Sequence, residues 1–297
     1  MRLYTRNNLD GVVSAALVMK REPVKEVLFV HPKQMQDGEV EVMPGDAITN
    51  LPLHPNAGVW FDHHTAGAAK LPEGAKGTVA DAPSASRLVY EYYDFYKERN
   101  HGHIHDMVHY TDRMDSAILT YEDVLRPDGW ILLGFMLDPR TGLNLDHDLY
   151  RRVIYSIRDG MTIREILSIP DIEEAKKRYL AEEEKTKIML TASTRINGSV
   201  IIQDLRGMDE GLIGNRFFIY AIFPRCTVSI RIMPHERDEN RAVVAVGKSI
   251  FHRVLKKHIG ELMAQYGGGG LAGAGSAPFD QAEVDERVAE IAERLQE

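Results

Sequence analysis

Short runs of apolar residues alternate, along the first half of the chain, with segments whose apolar residues recur at helical spacing. Buried strands are predicted at 3–4, 27–30 and 57–61. Residues 12–17 and 84–99 have the spacing of helices, and Ser84 is a suitable N-cap for the second of them. Strands that alternate with helices in this way predict an α/β fold with a mostly parallel sheet.

The second half of the chain has a different pattern. A highly charged, mostly helical segment is predicted at 162–192. Further strands are predicted at 199–202, 217–223, 227–232 and 242–246, and helices at 249–266 and 284–295 with a glycine-rich turn between them. We therefore predict two α/β domains, 1–160 and 193–297, joined by a helical connector at 161–192. The second domain is the smaller one and has a mixed sheet.

The composition of the 297 residues is typical of a globular protein, with 36 Lys and Arg against 44 Asp and Glu. The net charge of −8 argues against a protein that holds duplex nucleic acid through a basic surface. Cys226 is the one cysteine, which excludes an internal disulfide and a zinc site built from cysteines. No apolar run approaches the ~20 residues of a membrane span, so we expect a cytoplasmic protein without a membrane partner.

Three polar residues, Asp62, His63 and His64, directly follow the apolar run at 57–61. The carboxyl ends of parallel strands form the edge at which α/β sheets bind ligands. Carboxylate and imidazole groups at that edge can hold a divalent metal together with a phosphate. These residues are therefore candidates for catalysis, although a polar strand end whose histidines only cap backbone groups fits the pattern equally well.

Two further acidic segments can reach the same sheet edge. Asp10 follows the first strand, and Gly11 lets the chain turn sharply, although an ordinary helix cap would explain both. Asp112 and Asp115 lie three residues apart and can share one helix face. Such oxygen ligands suit Mg²⁺ or Mn²⁺, and the addition of His63 favours Mn²⁺.

A group of histidines also has the composition of a metal-binding tract: His101, His103, His105 and His109. We interpret this group as a solvated loop rather than a set of ligands, because most of its members lie in or near a glycine-containing segment. The run Gly267, Gly268, Gly269 and Gly270 could form a nest of backbone amides for an anion, although flexible linkers have a similar composition. Arg231, on a predicted strand, could support such an anion site.

Together these motifs resemble the DHH phosphoesterase superfamily, in particular its exopolyphosphatase-like branch. The resemblance covers nearly the whole chain. Asp10-Gly11, Asp62-His63-His64 and the segment 112–117 follow the order of the family's N-terminal motifs, and 266–275 is similar to the glycine-rich signature of its DHH-associated C-terminal domain.

The resemblance implies a two-domain hydrolase with a cleft between the domains and one or two divalent metals, usually Mn²⁺. Its substrate would be a small phosphoanhydride or phosphodiester: polyphosphate, pyrophosphate, or a short nucleotide or dinucleotide, cleaved by metal-activated water. Short single-stranded nucleic acid and a second copy of the chain are further partners to consider.

The resemblance also implies roles for individual residues. Asp10, His63 and Asp112 would be metal ligands, Asp62 would shape or bridge the site, and Asp115 is an alternative ligand. His64 would contact the scissile phosphate, while Arg231 and Gly267, Gly268, Gly269 and Gly270 would anchor the far end of the substrate.

The chain departs from the family pattern in ways that remove ligands. Asn8 and Tyr4 occupy positions where the family has an aspartate and often a histidine, and Asn8 stays a candidate metal ligand through its amide oxygen, without the negative charge. Asn50, with Asp46 as an uncertain substitute, occupies the place of another aspartate. Leu271 replaces a histidine after the glycine run. Two hypotheses remain: a metal-dependent phosphohydrolase, and a degenerate member that binds a nucleotide or polyphosphate without efficient hydrolysis.

Overall fold

The computed structural model describes residues 1–64, 70–98, 102–207, 213–235 and 238–296. The chain divides into two compact units. The first unit contains residues 1–118 and 126–180, and the second contains 119–125 and 181–297. None of the described helices is both long and apolar enough to cross a membrane.

The first unit is built on a five-stranded sheet in which each neighbouring pair of strands is parallel. The strand order is β2-β1-β3-β4-β5. The strands are β1 (Arg2–Thr5), β2 (Glu26–Phe29), β3 (Asp46–Thr49), β4 (Ala57–Asp62) and β5 (Lys76–Val79). Since all of them run in one direction, their carboxyl ends meet at one edge, which is where the polar motifs lie.

Helices pack on this sheet and on one another. They are α1 (Leu9–Met19), α2 (Pro32–Gln36), α3 (Ala85–Tyr92), α4 (Gly102–Asp115), α6 (Gly129–Leu137), α7 (His147–Arg158), α8 (Ile163–Ile166) and the first part of α9 (Pro170–Ala192). Short 3₁₀ turns occur at Phe95–Lys97 and Pro139–Thr141. The predicted helix at 84–99 begins with Ser84 as its N-cap but ends earlier than expected, because Asp94 adopts a left-handed conformation (φ 54°).

The turn from β1 into α1 needs glycine at position 11. A Cβ atom on Gly11 would lie 2.1 Å from the carbonyl oxygen of Arg6, which is too close for any side chain. Asn8 caps the helix, because its side-chain oxygen accepts a hydrogen bond from the Gly11 amide. This tight turn carries Asp10, in the first turn of α1, back to the edge of the sheet.

The second unit has a six-stranded sheet of order β10-β11-β9-β8-β7-β6, in which β7 and β8 are parallel and the other pairs antiparallel. The strands are β6 (Thr194–Asn197), β7 (Val200–Asp204), β8 (Val228–Pro234), β9 (Arg241–Lys248), β10 (Gly269–Gly270) and β11 (Ala274–Asp280). The helices are α5 (Tyr121–Leu125), the second part of α9, α10 (Phe218–Ile222), α11 (Ile259–Ala264) and α12 (Val284–Arg294). One sheet face packs against α11 and α12 around Ile230, Val244 and Ile291. The prediction of a two-domain α/β protein is therefore confirmed.

Two predicted elements of the second unit are wrong. The run 217–223 forms the helix α10 rather than a strand, and the hydroxyl of Tyr220 fixes that helix on the sheet by contacts with Ser229 and the carbonyl of Gly247. The predicted helix at 249–266 is reduced to α11, because the Ser249 hydroxyl accepts hydrogen bonds from the next amides and holds a turn.

Candidate metal centre

The carboxyl edge of the parallel sheet collects polar side chains from three neighbouring strands. Asn8 follows β1, Asn50 follows β3, and Asp62 ends β4. The strands β1 and β4 both pair with β3, so these residues lie side by side along the edge. The sequence predicted a polar edge at this place.

A compact group of metal-competent side chains lies at this edge: Asp10, His63 and Asp115. One ligand atom from each of the three lies within 4.8 Å of the others. His63 Nε2 is 3.1 Å from Asp115 Oδ2 and 3.8 Å from Asp10 Oδ2. Two carboxylates and one imidazole form a donor set that suits Mn²⁺ or Mg²⁺.

The start of helix α3 holds the buried carboxylate of Asp10. Asp10 Oδ2 accepts a hydrogen bond from the Ala85 amide (2.9 Å), and Oδ1 accepts one from the Ser86 amide (2.8 Å). The Ser86 hydroxyl also donates to Oδ1. A carboxylate at a helix N-terminus is stabilised by the exposed amides and the helix dipole, so Asp10 keeps a fixed orientation without any metal.

The ring of His63 has the orientation of a metal ligand. Its Nδ1 lies 3.1 Å from the carbonyl oxygen of Ala82, which can only accept a hydrogen bond, so Nδ1 carries the proton. The buried Nε2 is near Asp115, yet within the described residues it has no partner at hydrogen-bonding angles. A buried, unpartnered nitrogen beside two carboxylates fits a divalent metal.

Charges within the group shift the pKa values of its members. Burial opposes protonation of His63, but its contact with Asp115 and the charge of Asp10 outweigh burial and raise its pKa to about 9. Burial, reinforced by the charge of Asp115, raises the pKa of Asp10 to about 6. Without a metal, a proton on His63 therefore balances the carboxylates.

The structure places Asp112 in a different environment from Asp115. The Ser84 hydroxyl donates to Asp112 Oδ1 (2.6 Å), and the Arg87 guanidinium binds Oδ2 through Nε (3.0 Å) and Nη2 (2.5 Å). The predicted ligand Asp112 is thus paired with Arg87. Asp115, three residues later, is the aspartate that contacts His63. Both residues lie near the end of α4.

Asp62 and His64 form a separate pair beside the group. His64 Nδ1 lies 2.8 Å from Asp62 Oδ1, and the His64 amide donates to the same oxygen at 3.2 Å. Asp62 is buried, whereas the His64 side chain is 48% exposed. The buried carboxylate therefore fixes an imidazole that solvent can reach.

Two asparagines complete the edge. Asn50 Nδ2 donates to Asn8 Oδ1 at 3.2 Å, and that oxygen also accepts from the Gly11 amide at 2.9 Å. Asn50 has a left-handed backbone (φ 54°), and its buried Oδ1 has no hydrogen-bond partner among the described residues. Asp46, the suggested substitute for Asn50, begins β3 at the opposite edge, where Arg2 binds it.

The described members of the histidine group lie on a helix rather than in a loop. His103, His105 and His109 are exposed on α4, while His101 lies outside the described residues. None of the three belongs to a metal-competent group in the described part of the chain. The amphipathic spacing of Ile104 and Val108, both buried, explains why this segment is helical.

The predicted anchors Arg231 and Gly267–Gly270 lie in the second unit. Arg231 donates through Nε to Gln203 Oε1 (2.9 Å) and through Nη2 to the Arg216 carbonyl (3.3 Å), and no carboxylate of the described residues pairs with it. Burial lowers the pKa of its guanidinium. An arginine in this setting is suited to an anionic ligand.

The glycine run has a packing role that its sequence did not indicate. The amides of Gly267 and Gly268 donate to carbonyls of α11 and close the end of that helix. A Cβ atom on Gly268 would lie 1.9 Å from the Ser276 carbonyl oxygen, and one on Gly270 would lie 2.3 Å from the Ala274 carbonyl oxygen. The glycines therefore allow β10 to approach β11 closely.

Sequence reasoning did not find the residues that orient the ligands. Ser84, Ser86 and Arg87 all belong to the start of α3, and the N-cap pattern at Ser84 was the only available signal. Arg6 was also missed. Burial raises the pKa of Asp115, but the contact with His63 and the charges of His63, His64 and, to a smaller extent, Arg6 lower it overall.

Comparison with known proteins identifies the family. The chain is similar to the pGpG-specific phosphodiesterase PggH from Vibrio cholerae, with 35% identity, a TM-score of 0.88, and coverage of 100% of this chain and 99% of that one. RecJ from Thermus thermophilus, solved with Mn²⁺, shares the fold at 12% identity (TM-score 0.57), with 99% of this chain and 52% of RecJ covered. An exopolyphosphatase-related protein from Bacteroides fragilis does so at 13% identity (TM-score 0.52), with 99% and 93% covered. No protein-family model and no curated protein matches the chain.

The fold and the site define a two-domain α/β hydrolase that acts on phosphate esters. The chain belongs to the DHH phosphoesterase superfamily. The family resemblance read from the sequence motifs is thereby confirmed.

Proposed function

We propose that this protein is a metal-dependent phosphodiesterase for short linear dinucleotides, with pGpG as its first candidate substrate. The similarity to PggH over the whole chain carries the proposal. The group of Asp10, His63 and Asp115 supports it, since phosphodiester hydrolysis is a common reaction of such metal sites. In the reaction, one water molecule cleaves the phosphodiester of pGpG and yields two GMP molecules.

Asp10, His63 and Asp115 would hold the metal ion, and Mn²⁺ is our first choice because an imidazole joins two carboxylates. When bound, the ion supplies a Lewis acid that makes water a stronger nucleophile and offsets negative charge on the phosphoryl oxygens. The amides at the start of α3 hold Asp10, and the Ala82 carbonyl orients His63. The ligands therefore need little rearrangement when the ion binds.

His64 and Arg6 would bind the scissile phosphate. Because Asp62 holds Nδ1 of His64, the other edge of this half-exposed ring is left to meet the substrate. Arg6 follows β1 and lies close enough to affect the charge of Asp115. A hydrogen-bonding imidazole and a guanidinium would both stabilise the extra charge of the transition state.

In the second unit, we propose an anion-binding role for Arg231. Arg231 is the preferred anchor, because its half-buried guanidinium lacks a carboxylate partner in the described part of the chain. Gly269 and Gly270, which pair with β11 as strand β10, would line this site through their backbone, whereas the amides of Gly267 and Gly268 close α11. We retain 1–160, 161–192 and 193–297 as the proposed domain limits.

A substrate panel tests this function. Purified protein with Mn²⁺ is incubated with pGpG, a cyclic dinucleotide, pyrophosphate, polyphosphate and phosphoadenosine phosphate, and the products are separated by chromatography. We expect GMP from pGpG, loss of this activity in His63→Ala, and normal activity in His103→Ala, which alters an exposed histidine on α4. Equal activity in His63→Ala would refute the site, and a preference for polyphosphate would refute the substrate class.

The second hypothesis, binding without efficient hydrolysis, is favoured by the neutral Asn8–Asn50 pair. It predicts that the folded protein binds pGpG in the presence of Mn²⁺ but releases no GMP. Calorimetric titration of pGpG, run beside the chromatographic assay, separates the two hypotheses.

We further propose that the protein works in the cytoplasm, that short single-stranded nucleic acid is a secondary ligand, and that the chain forms a homodimer. Light scattering of the purified protein tests the dimer. Competition between an oligonucleotide and pGpG tests the secondary ligand.

A further inference from the structure

We propose that the active site holds one divalent ion per chain rather than a bridged pair, because the residues at the second position are neutral amides and the oxygen of one of them, Asn8, already accepts two hydrogen bonds. This inference rests on the proposed function, since it concerns the same site. It concerns the number of ions that the chain's own side chains can hold.

Few carboxylates at the sheet edge remain available to a metal. Asp10 and Asp115 face His63. The other acidic candidates are engaged elsewhere: Asp62 with His64, Asp112 with Arg87, and Asp46 with Arg2 at the opposite edge. Within the described residues, Asp10, His63 and Asp115 form the one group that meets the geometry of a metal site.

The charge of this group matches one divalent ion. Two ionised carboxylates and one neutral imidazole carry a charge of −2, which balances a single divalent ion. A second ion would add two positive charges in a site where Asp10 is fully buried, and the neighbouring Asp62 carboxylate, already hydrogen-bonded to His64, does not offset them together with the charge of Arg6. Uncompensated charge in a poorly solvated site is strongly unfavourable.

Asn8 has no oxygen lone pair left for a metal. An amide oxygen has two lone pairs, and Asn8 Oδ1 already accepts from the Gly11 amide and from Asn50 Nδ2. A bond to a metal would require loss of the helix cap or of the contact between the asparagines. Tyr4 offers no replacement, because its hydroxyl donates to the Glu41 carbonyl at 2.7 Å.

Asn50 contributes at most one neutral ligand. Its Oδ1 is buried and has no hydrogen-bond partner among the described residues, so it is a free oxygen at the edge. A carbonyl oxygen without charge can complete the shell of an ion held by Asp10, His63 and Asp115, but it cannot hold a second ion alone. Asn50 Oδ1 can therefore serve as an additional neutral ligand of a single ion, but it does not create a second metal site.

The number of bound ions can be measured without an activity assay. Metal-free wild-type protein is dialysed against Mn²⁺, the metal content is determined by mass spectrometry, and the electron paramagnetic resonance spectrum is recorded. We expect one Mn²⁺ per chain and the six-line spectrum of an isolated ion. Two ions per chain, or a spectrum of exchange-coupled Mn²⁺, would overturn the inference.

Variants that restore the acids test the assignment to the two asparagines. Asn8→Asp keeps a good N-cap, so the fold tolerates it. We expect the double variant Asn8→Asp, Asn50→Asp to bind two Mn²⁺, to show a coupled spectrum, and to gain more thermal stability from Mn²⁺ than the wild type does. Asn144→Asp is the matched control, because Asn144 shares the left-handed backbone of Asn50 but is exposed on the surface. It should bind one ion.

The outcomes separate this inference from the proposed function. One ion in the wild type and two in the double variant support both. Two ions in the wild type, with pGpG hydrolysis intact, overturn the inference alone. No bound ion overturns both. One ion in both proteins refutes the assignment to Asn8 and Asn50.

Discussion

His63 Nε2 lies 3.1 Å from Asp115 Oδ2. On the same helix and three residues earlier, Asp112 is held by the Arg87 guanidinium instead. The two aspartates therefore have different roles, although they lie on the same helix and are only three residues apart. Asp115 completes the metal group, and Asp112 connects α4 to the start of α3, which in turn orients Asp10.

Removal of the charge of Asp115 should weaken metal binding more than removal of the charge of Asp112. We expect Asp115→Asn to lower the affinity for Mn²⁺ by more than about 100-fold, since even outer-shell changes cost about 10- to 100-fold. Asp112→Asn, the matched control, should lower it by less than about 100-fold, because Asp112 acts through α3. Calorimetric titration with Mn²⁺ measures both, and the opposite order would assign the ligand to Asp112.

Metal binding should depend on pH because a proton competes for His63. In the metal-free protein His63 has a pKa of about 9, and a metal needs the neutral ring. Below about pH 9, metal binding must therefore release the proton of His63. The affinity for Mn²⁺ should rise by up to about tenfold per pH unit between about pH 7 and 9 and then level off. Titration in two buffers of different ionisation enthalpy measures the released proton. An affinity independent of pH over this range would contradict the assignment of His63.

Arg231 should contribute to substrate binding beyond its effect on stability. Arg231→Met removes a donor from the buried Oε1 of Gln203 and from the Arg216 carbonyl, so we expect it to lower the free energy of unfolding by about 1–3 kcal/mol. The same variant should weaken pGpG binding at least about tenfold, as expected for a lost charge-assisted hydrogen bond. A lower melting temperature with unchanged pGpG affinity would assign Arg231 a structural role.

Gly268 and Gly269 provide a matched test of the packing role of the glycine run. A Cβ atom on Gly268 would collide with the Ser276 carbonyl, whereas one on Gly269 meets nothing within 4 Å. We expect Gly268→Ala to lower the free energy of unfolding by about 2–4 kcal/mol and Gly269→Ala to change it by less than about 1 kcal/mol. Urea denaturation measures both. Similar values for the two variants would argue that the run serves another purpose.

The sequence predicted the parallel sheet and its functional edge because both depend on local pattern. Apolar runs that end in polar residues are visible without a structure, and Asp62-His63-His64 is the strongest example. The chemistry of the edge also follows from residue types. The family could therefore be inferred from motifs and their order.

The remaining details depend on tertiary packing, which the sequence does not display. The rotation of α4 decides which aspartate meets His63, and that rotation follows from burial of Ile104 and Val108 and from Arg87 on another helix. The apolar run 217–223 fits a buried strand or a buried helix equally well, and the contacts of Tyr220 select the helix.

The central claim is that this chain hydrolyses a linear dinucleotide with the help of a metal at Asp10, His63 and Asp115. The most direct test is the rate of GMP formation from pGpG by protein that has been stripped of metal and then titrated with Mn²⁺. The account predicts no GMP from the stripped protein and a rate that rises with added Mn²⁺ and saturates. Equal GMP formation with and without Mn²⁺, or none in a folded protein at saturating Mn²⁺, would contradict it.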